Sequence, residues 1–389
     1  MRSAARGSVP PFAVMEIIAA ANARRAAGQD VLNLAAGEPS GGACEAVRQR
    51  AMRVLADGGG LGYTEAVGMP ALRTAIADHY GRWYGVAVDP GRVAVTTGSS
   101  GGFVLAFLAA FDPGARVAVT RPGYPAYRNI LTALGCAVVD LPCGPSTRYQ
   151  PTVAMLAEAH ARAPLDGLVV ASPANPTGTM IGAQELGAIG RWCAEHGVRL
   201  ISDELYHGIT YTDAPATTGA DLPGAVVVHS FSKYWSMTGW RLGWLVLPQD
   251  LVAPVDALAG NLALCPPALA QHAGLAALSP AGMAAAREQV ARYAASRTLV
   301  LDRLPELGWT RAAPADGAFY VYADISASGL DSVTWCARLL AEAGVALTPG
   351  TDFDPVDGQR FVRLSFAAPA AVVGAALDRI VGWQAGVRR

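Results

Sequence analysis

Between residues 92 and 247 short apolar runs alternate with helical patterns, and this alternation constrains the fold more than any other feature. RVAVTTGSSGGFVLAFLAAFDPG (92–114) reads as strand, tight loop and helix, and ARVAVTRPGYPAYRNILTALG (115–135) repeats the unit. CAVVDLPC (136–143), GLVVASP (167–173), VRLISDELYHG (198–208) and AVVVHSF (225–231) supply further strands, with helices at 151–163 and 183–196 between them. Nearly continuous apolar strands separated by helices predict a doubly wound, mainly parallel sheet, the α/β class. Such sheets bind ligands just past the carboxyl ends of their strands. Residues at those positions are therefore the first candidates for chemistry.

Beyond Pro248 the texture changes. Ala-rich helical patterns (268–304) lead to DGAFYVYADIS (316–326), VALTPGTDF (345–353) and RFVRLSFAAP (360–369), which read as strands of a smaller sheet. A helix near 370–384 closes the chain. Upstream, 10–27 is a helix ended by Gly28, VLNLAAGEPS (31–40) is a short strand running into a turn, and 44–57 is a helix. The expected organisation is an N-terminal segment (1–45) joining a small C-terminal α+β domain (276–389), with a large domain (46–275) between.

With 389 residues, 52% of them hydrophobic and 16% charged, the chain can bury a large core. A net charge of −1 offers no footprint for nucleic acid or an acidic membrane. FVLAFLAAF (103–111), the longest strongly apolar run, is too short to span a bilayer. Six scattered Cys without a C-x-x-C pair fit a reducing cytoplasm, and six scattered His give no metal site.

Against this background one residue stands out. Lys plus Arg number 30, of which a single one, Lys233, is lysine. An arginine stays protonated, whereas a lysine amine pushed toward neutrality can attack a carbonyl. Lys233 follows the strand 225–231, with Ser230 three residues before it and Arg241 eight after it. A hydroxyl, an amine and a guanidinium converging on a strand's carboxyl edge suit a ligand bearing both an aldehyde and a phosphate.

Other strand ends carry polar groups. Gly98-Ser99-Ser100-Gly101 would set backbone N–H groups and hydroxyls at a helix N-terminus, an anion site. The same stretch matches G-x-S-x-G (Gly98, Ser100, Gly102), the nucleophile elbow of a serine hydrolase with Ser100 as nucleophile. No His follows His272 and no H-G-G-G segment precedes the elbow, so the anion reading is preferred. Asn175 follows one strand within S-P-x-N-P-T-G, and Asp203 ends another, where burial is costly unless it is paired. In RFVRLSFA, alternation sends Arg363 out of an apolar strand, where a guanidinium calls for a carboxylate.

S-x-x-K followed by TGWRLGW (238–244) resembles the lysine segment of the class I aminotransferases, pyridoxal-phosphate enzymes of fold type I. The similarity extends in order through Gly37, Tyr63 (in Y-x-x-x-x-G-x-P-x-L-R), Gly98-Ser99-Ser100, Tyr124, Asn175, Asp203, Tyr206, Ser230, Lys233, Arg241 and Arg363. The resemblance implies a large domain built on a mainly parallel seven-stranded sheet between helices. It also implies that Lys233 holds pyridoxal 5′-phosphate as an imine. Ser99, Ser100, Ser230 and Arg241, with Tyr63 from a homodimer partner, would bind the phosphate, and Tyr124 would stack on the pyridine. Asp203 would pair with the pyridine nitrogen, Asn175 and Tyr206 would tune the phenolic oxygen, and Gly37 would lie beside the substrate carboxylate held by Arg363. The substrates implied are an amino acid and a 2-oxo acid, with Lys233, Asp203 and Tyr206 catalytic. The apolar stretch PPFAVMEII (10–18) favours neutral amino acids such as alanine or valine, with pyruvate, over aspartate with 2-oxoglutarate. A β-eliminating C–S lyase of the same fold would share every cofactor residue.

Overall fold

The computed structural model describes residues 4–58 and 61–387; Gly59 and Gly60, and residues 1–3 and 388–389 of the two outer domain ranges, lie outside them. Among the described residues, twelve strands occur in order: β1 Leu32–Asn33, β2 Val93–Thr96, β3 Arg116–Arg121, β4 Ala137–Pro142, β5 Gly167–Ala171, β6 Arg199–Asp203, β7 Val226–Ser230, β8 Gly243–Val246, β9 Tyr320–Asp324, β10 Val345–Ala346, β11 Thr348–Pro349 and β12 Phe361–Ser365.

Seven of them form one sheet in the order β2-β8-β7-β6-β5-β3-β4. All pairings are parallel except those of β8, which runs antiparallel to both β2 and β7. The chain is thus an α/β protein with a mixed, mainly parallel seven-stranded sheet. Alternation along each strand feeds two helical layers. Val226 and Val228 pack with Phe103, Phe107 and Val255, whereas Val227 on the opposite face packs with Leu72 and Ile76. Each such fully buried Val contributes about 1.5–3 kcal/mol relative to exposure. No described helix is long and apolar enough to cross a membrane.

The smaller, antiparallel sheet has the order β11-β12-β9, so β12 is its central strand. The N-terminal segment joins this region, because β1 pairs in parallel with β10. Ser365 N also donates to Leu34 O (2.8 Å). The polar positions of the sequence now sit where strands end. Thr97, Ser172, Glu204 and Phe231 are the first residues beyond β2, β5, β6 and β7, all at one edge of the large sheet. Residues 34–38, leaving β1, reach the same edge from the small-sheet side.

Candidate active site

A cleft of about 310 Å³ opens at that edge, lined by both sheets and by the N-terminal helix Ala13–Ala26. Lys233 lies in the turn after β7, and its Nζ donates to Gly37 O at 2.5 Å. Burial, then the positive charge of Arg363, push its pKa down from 10.5 to about 8, with a further downward push from Arg241 and opposition from Glu38 and Asp203. A lowered pKa means that the neutral, nucleophilic amine prevails above about pH 8. An amine-directed reagent applied to cofactor-free protein is therefore expected to modify Lys233 with a midpoint near pH 8, read by peptide mass. A midpoint above 10 would contradict the electrostatic account.

Asp203 ends β6, 4% exposed, and lines the same cleft. Burial raises its pKa to about 6, against the stabilising hydrogen bonds from the Tyr127 hydroxyl and from Leu205 N (3.0 Å). A carboxylate held at this depth, with no cation in contact among the described residues, calls for a cationic partner.

At the other end, the helix Gly98–Ala110 starts with Thr97 making no side-chain cap, which leaves its first-turn donors for a ligand. Ser99 and Ser100 line the cleft there, as does Arg241, whose Nη1 donates to Thr238 O at 2.8 Å. Gly98 has φ +68°, and a Cβ on it would come within 2.4 Å of the Arg241 guanidinium. The backbone conformation thus favours glycine, and a side chain here would push the Arg241 guanidinium aside. Uncapped N–H groups, two hydroxyls and a guanidinium form an anion cradle that fits a phosphate monoester.

The turn departs from expectation at Ser230. Its hydroxyl is wholly buried, donating to Leu242 O (3.0 Å) and sharing a hydrogen bond of 2.8 Å with the Ser232 hydroxyl. Ser232, not Ser230, lines the cleft from this turn. The S-x-x-K spacing leaves open which hydroxyl faces inward, because the chain past β7 no longer alternates. Tyr63 stands away from the cleft, 83% exposed. No His lines the cleft among the described residues, so no Ser–His pair forms there around Ser100.

Arg363 projects from the middle of β12 and is only 3% exposed. Its Nη1 donates to Asn175 Oδ1 (2.8 Å), and its Nη2 to Ala35 O (2.7 Å) and Thr348 Oγ1 (3.3 Å). Nε has no partner, and no carboxylate lies within ion-pair distance among the described residues. The rings of Tyr320 and Phe353 lie 4.4 and 4.7 Å from its Cζ. A buried guanidinium with neutral partners only is costly to maintain and calls for an anionic ligand.

Tyr124 lines the cleft, its ring stacked with that of Phe12 (centroids 6.0 Å apart) and edge-on to Tyr127. Tyr206 shares a hydrogen bond of 2.7 Å with Tyr320, and a Cβ on Gly37 would come within 2.2 Å of the Tyr320 hydroxyl. Two residues of the cleft were thus not singled out from sequence, Tyr127 and Tyr320. Tyr127 lies three positions beyond Tyr124, which precedes the helix Pro125–Ala133 that carries Tyr127, a usable signal. Tyr320 depends on strand pairing between β9 and β12, which leaves no local trace.

With this geometry established, comparison with known proteins is decisive. A family model described as aminotransferase class I and II matches residues 29–380. The chain belongs to that family. It is similar to a valine–pyruvate aminotransferase of Mycobacterium tuberculosis (55% identity, 98% of each chain). An aspartate/prephenate aminotransferase of Thermus thermophilus is 34% identical over 96% of each chain. Among solved structures, an aminotransferase from M. tuberculosis superimposes with a TM-score of 0.96 (54% identity, 99% of this chain and 100% of that one). The T. thermophilus aspartate aminotransferase with maleate gives 0.91 (34% identity, 98% and 100%). The protein is an aminotransferase, and its family uses pyridoxal phosphate.

Proposed function

We propose that the protein moves an amino group between a neutral L-α-amino acid, valine or alanine, and a 2-oxo acid, with pyruvate as acceptor. The observation that carries this reading is the buried Arg363 guanidinium, free of any carboxylate, sharing one cleft with the sole lysine. The anion cradle at Gly98–Ser100 and Arg241, the buried Asp203 and the Lys233 amine fit pyridoxal 5′-phosphate in charge and chemistry. Bound there, that cofactor supplies an aldehyde for exchange of amines and a ring that accepts electron density from the substrate.

The chain's own part follows from its side chains. Arg363 takes the substrate carboxylate through its guanidinium edge. Lys233, mostly neutral above about pH 8, removes the proton from the substrate α-carbon and returns it on the other side of the exchange. Asp203 keeps the proton at the ring nitrogen, and Tyr127 fixes the orientation of that carboxylate. Asn175 and Tyr206 provide neutral polar contacts for the ring oxygen.

Substrate class follows from what lines the mouth of the cleft. Val14, Met15 and Ile18 of the N-terminal helix are apolar, and the cations lining the cleft among the described residues are Lys233, Arg241 and Arg363. All three have a task already, so a substrate side-chain carboxylate would meet apolar surface, at several kcal/mol. The name of the M. tuberculosis relative supports the same choice. We also place a homodimer here. Met52, Leu55, Leu61, Tyr63, Leu262 and Leu264 are all exposed, and Thr64 N reaches Cys265 Sγ (3.4 Å), which brings the two groups together. Tyr63 would reach the partner's phosphate cradle. Six free cysteines fit the reducing cytoplasm.

Stopped-flow mixing of holoenzyme with a panel of amino acids tests the reading. Valine and alanine should each bleach the visible cofactor band, pyruvate should restore it, and aspartate should have kcat/KM about 100-fold lower, the equivalent of roughly 2.7 kcal/mol. Preference for aspartate would overturn the substrate assignment. Release of pyruvate and ammonia without an oxo-acid acceptor would point instead to elimination.

A further inference from the structure

The Arg363 guanidinium is held on one side by Phe353, and the turn that carries Phe353 is tied to the large sheet by an arginine. Arg121, the last residue of β3, reaches across with one nitrogen, Nη1, to Asp354 Oδ1 (2.7 Å) and Asp357 Oδ2 (3.2 Å). The Arg121 and Asp354 side chains are 11% and 7% exposed, so the pair is shielded from solvent. Asp354 in turn orders its own loop, since its Oδ1 also accepts from Val356 N (2.9 Å) and Asp357 N (3.0 Å). The base of that loop is closed by backbone contact. A Cβ on Gly350 would come within 2.4 Å of Gly358 O, and one on Gly358 within 2.3 Å of Gly350 O.

A second tie runs in parallel. Gly123 N donates to Phe353 O at 3.0 Å, two residues beyond Arg121 and one before Tyr124. The backbone that presents Tyr124 to the cofactor end of the cleft is therefore the same backbone that holds Phe353 against Arg363. Phe353 is 5% exposed, with its ring 4.7 Å from the Arg363 Cζ. A planar guanidinium flanked by rings keeps one orientation, and bidentate capture of a carboxylate depends on that orientation.

We propose that Arg121 is a positioning residue for substrate-carboxylate recognition, acting through Asp354, Asp357 and Phe353 on Arg363. It contacts neither substrate nor cofactor. A shielded ion pair adds little net stability compared with an apolar pair, whereas its geometry is specific. The role of Arg121 is thus to fix the 350–358 turn relative to the end of β3. This inference rests on Arg363 taking the carboxylate, and the test separates the two.

Steady-state kinetics and cofactor absorbance would be measured on holoenzyme carrying Arg121→Gln, Asp357→Asn or Arg363→Gln. Arg121→Gln is expected to raise KM for both the amino acid and the oxo acid about tenfold, with kcat within about threefold and the visible cofactor band unchanged. Asp357→Asn, whose side chain is 55% exposed, removes only the negative charge of the longer contact and should raise both KM values about threefold. It decides the matter alone if Arg121→Gln does not fold. A purely structural role would lower kcat and cofactor content together and leave KM unmoved, and that result overturns the inference. If Arg363→Gln raises KM while neither Arg121→Gln nor Asp357→Asn does, the coupling is wrong and the carboxylate assignment stands. If Arg363→Gln leaves KM unchanged, the carboxylate assignment itself fails and the inference fails with it.

Discussion

Lys233→Ala is expected to lower turnover by a factor on the order of 10⁴ and to remove the visible absorbance of enzyme-bound cofactor. The size follows from one side chain doing two things: general-base transfer by a positioned amine alone is worth about 10²–10⁴-fold, and the covalent hold on the cofactor is lost as well. No neighbour can substitute, because Lys233 is the only lysine in the chain and the other cations of the cleft are guanidiniums that do not give up a proton near neutrality. The fold should survive. The Nζ contact is a single hydrogen bond to Gly37 O, and removing a desolvated amine relieves a burial cost. Far-UV dichroism and thermal melting check the fold, and single-turnover absorbance checks the chemistry. The primary amine of added methylamine should restore part of the proton transfer, since the cavity left behind opens on the cleft. Turnover within tenfold of wild type in Lys233→Ala would remove the basis for assigning this residue.

The large sheet and most of these positions could be read in the sequence because burial is expensive for charges and cheap for Val, Leu and Ile. Apolar runs such as GLVVA and AVVVH marked β5 and β7, and Asp203, Lys233 and Arg363 stood out as charges at the ends or centres of such runs. What could not be read is what depends on pairing between distant segments. Nothing local in Gly243–Val246 says that it runs antiparallel between β2 and β7, and nothing in Leu32–Asn33 names Val345–Ala346 as its partner. Tyr127 and Tyr320 carry no local mark of their place, and only the fold brings their hydroxyls to Asp203 and Tyr206. Ser230 shows the converse. Its spacing to Lys233 suggested a ligand contact, but the turn beyond β7 points its hydroxyl into backbone and leaves Ser232 facing the cleft.

Arg363→Gln is expected to reduce kcat/KM for every α-amino acid and 2-oxo acid substrate by about 30- to 5,000-fold, mostly through KM. The range is that of losing one partner of a buried, hydrogen-bonded charge pair, about 2–5 kcal/mol, converted at 1.36 kcal/mol per tenfold. The loss should be shared by both half-reactions, because the carboxylate is the group that the amino acid and the oxo acid have in common. In Arg363→Lys the charge is kept and the fork is lost, so its defect should lie between those of wild type and Arg363→Gln. Stability is expected to move little. The wild-type guanidinium is buried with an unpaired Nε, and glutamine can still donate to Asn175 Oδ1 or Ala35 O, so relief of burial offsets the lost hydrogen bonds. The decisive control is a primary amine without a carboxylate, such as isobutylamine, the decarboxylated counterpart of valine. Wild type should accept it poorly, and Arg363→Gln should not make it worse. If the variant lost as much on the amine as on valine, Arg363 would be supporting the site as a whole, and the carboxylate would have to bind elsewhere in the cleft.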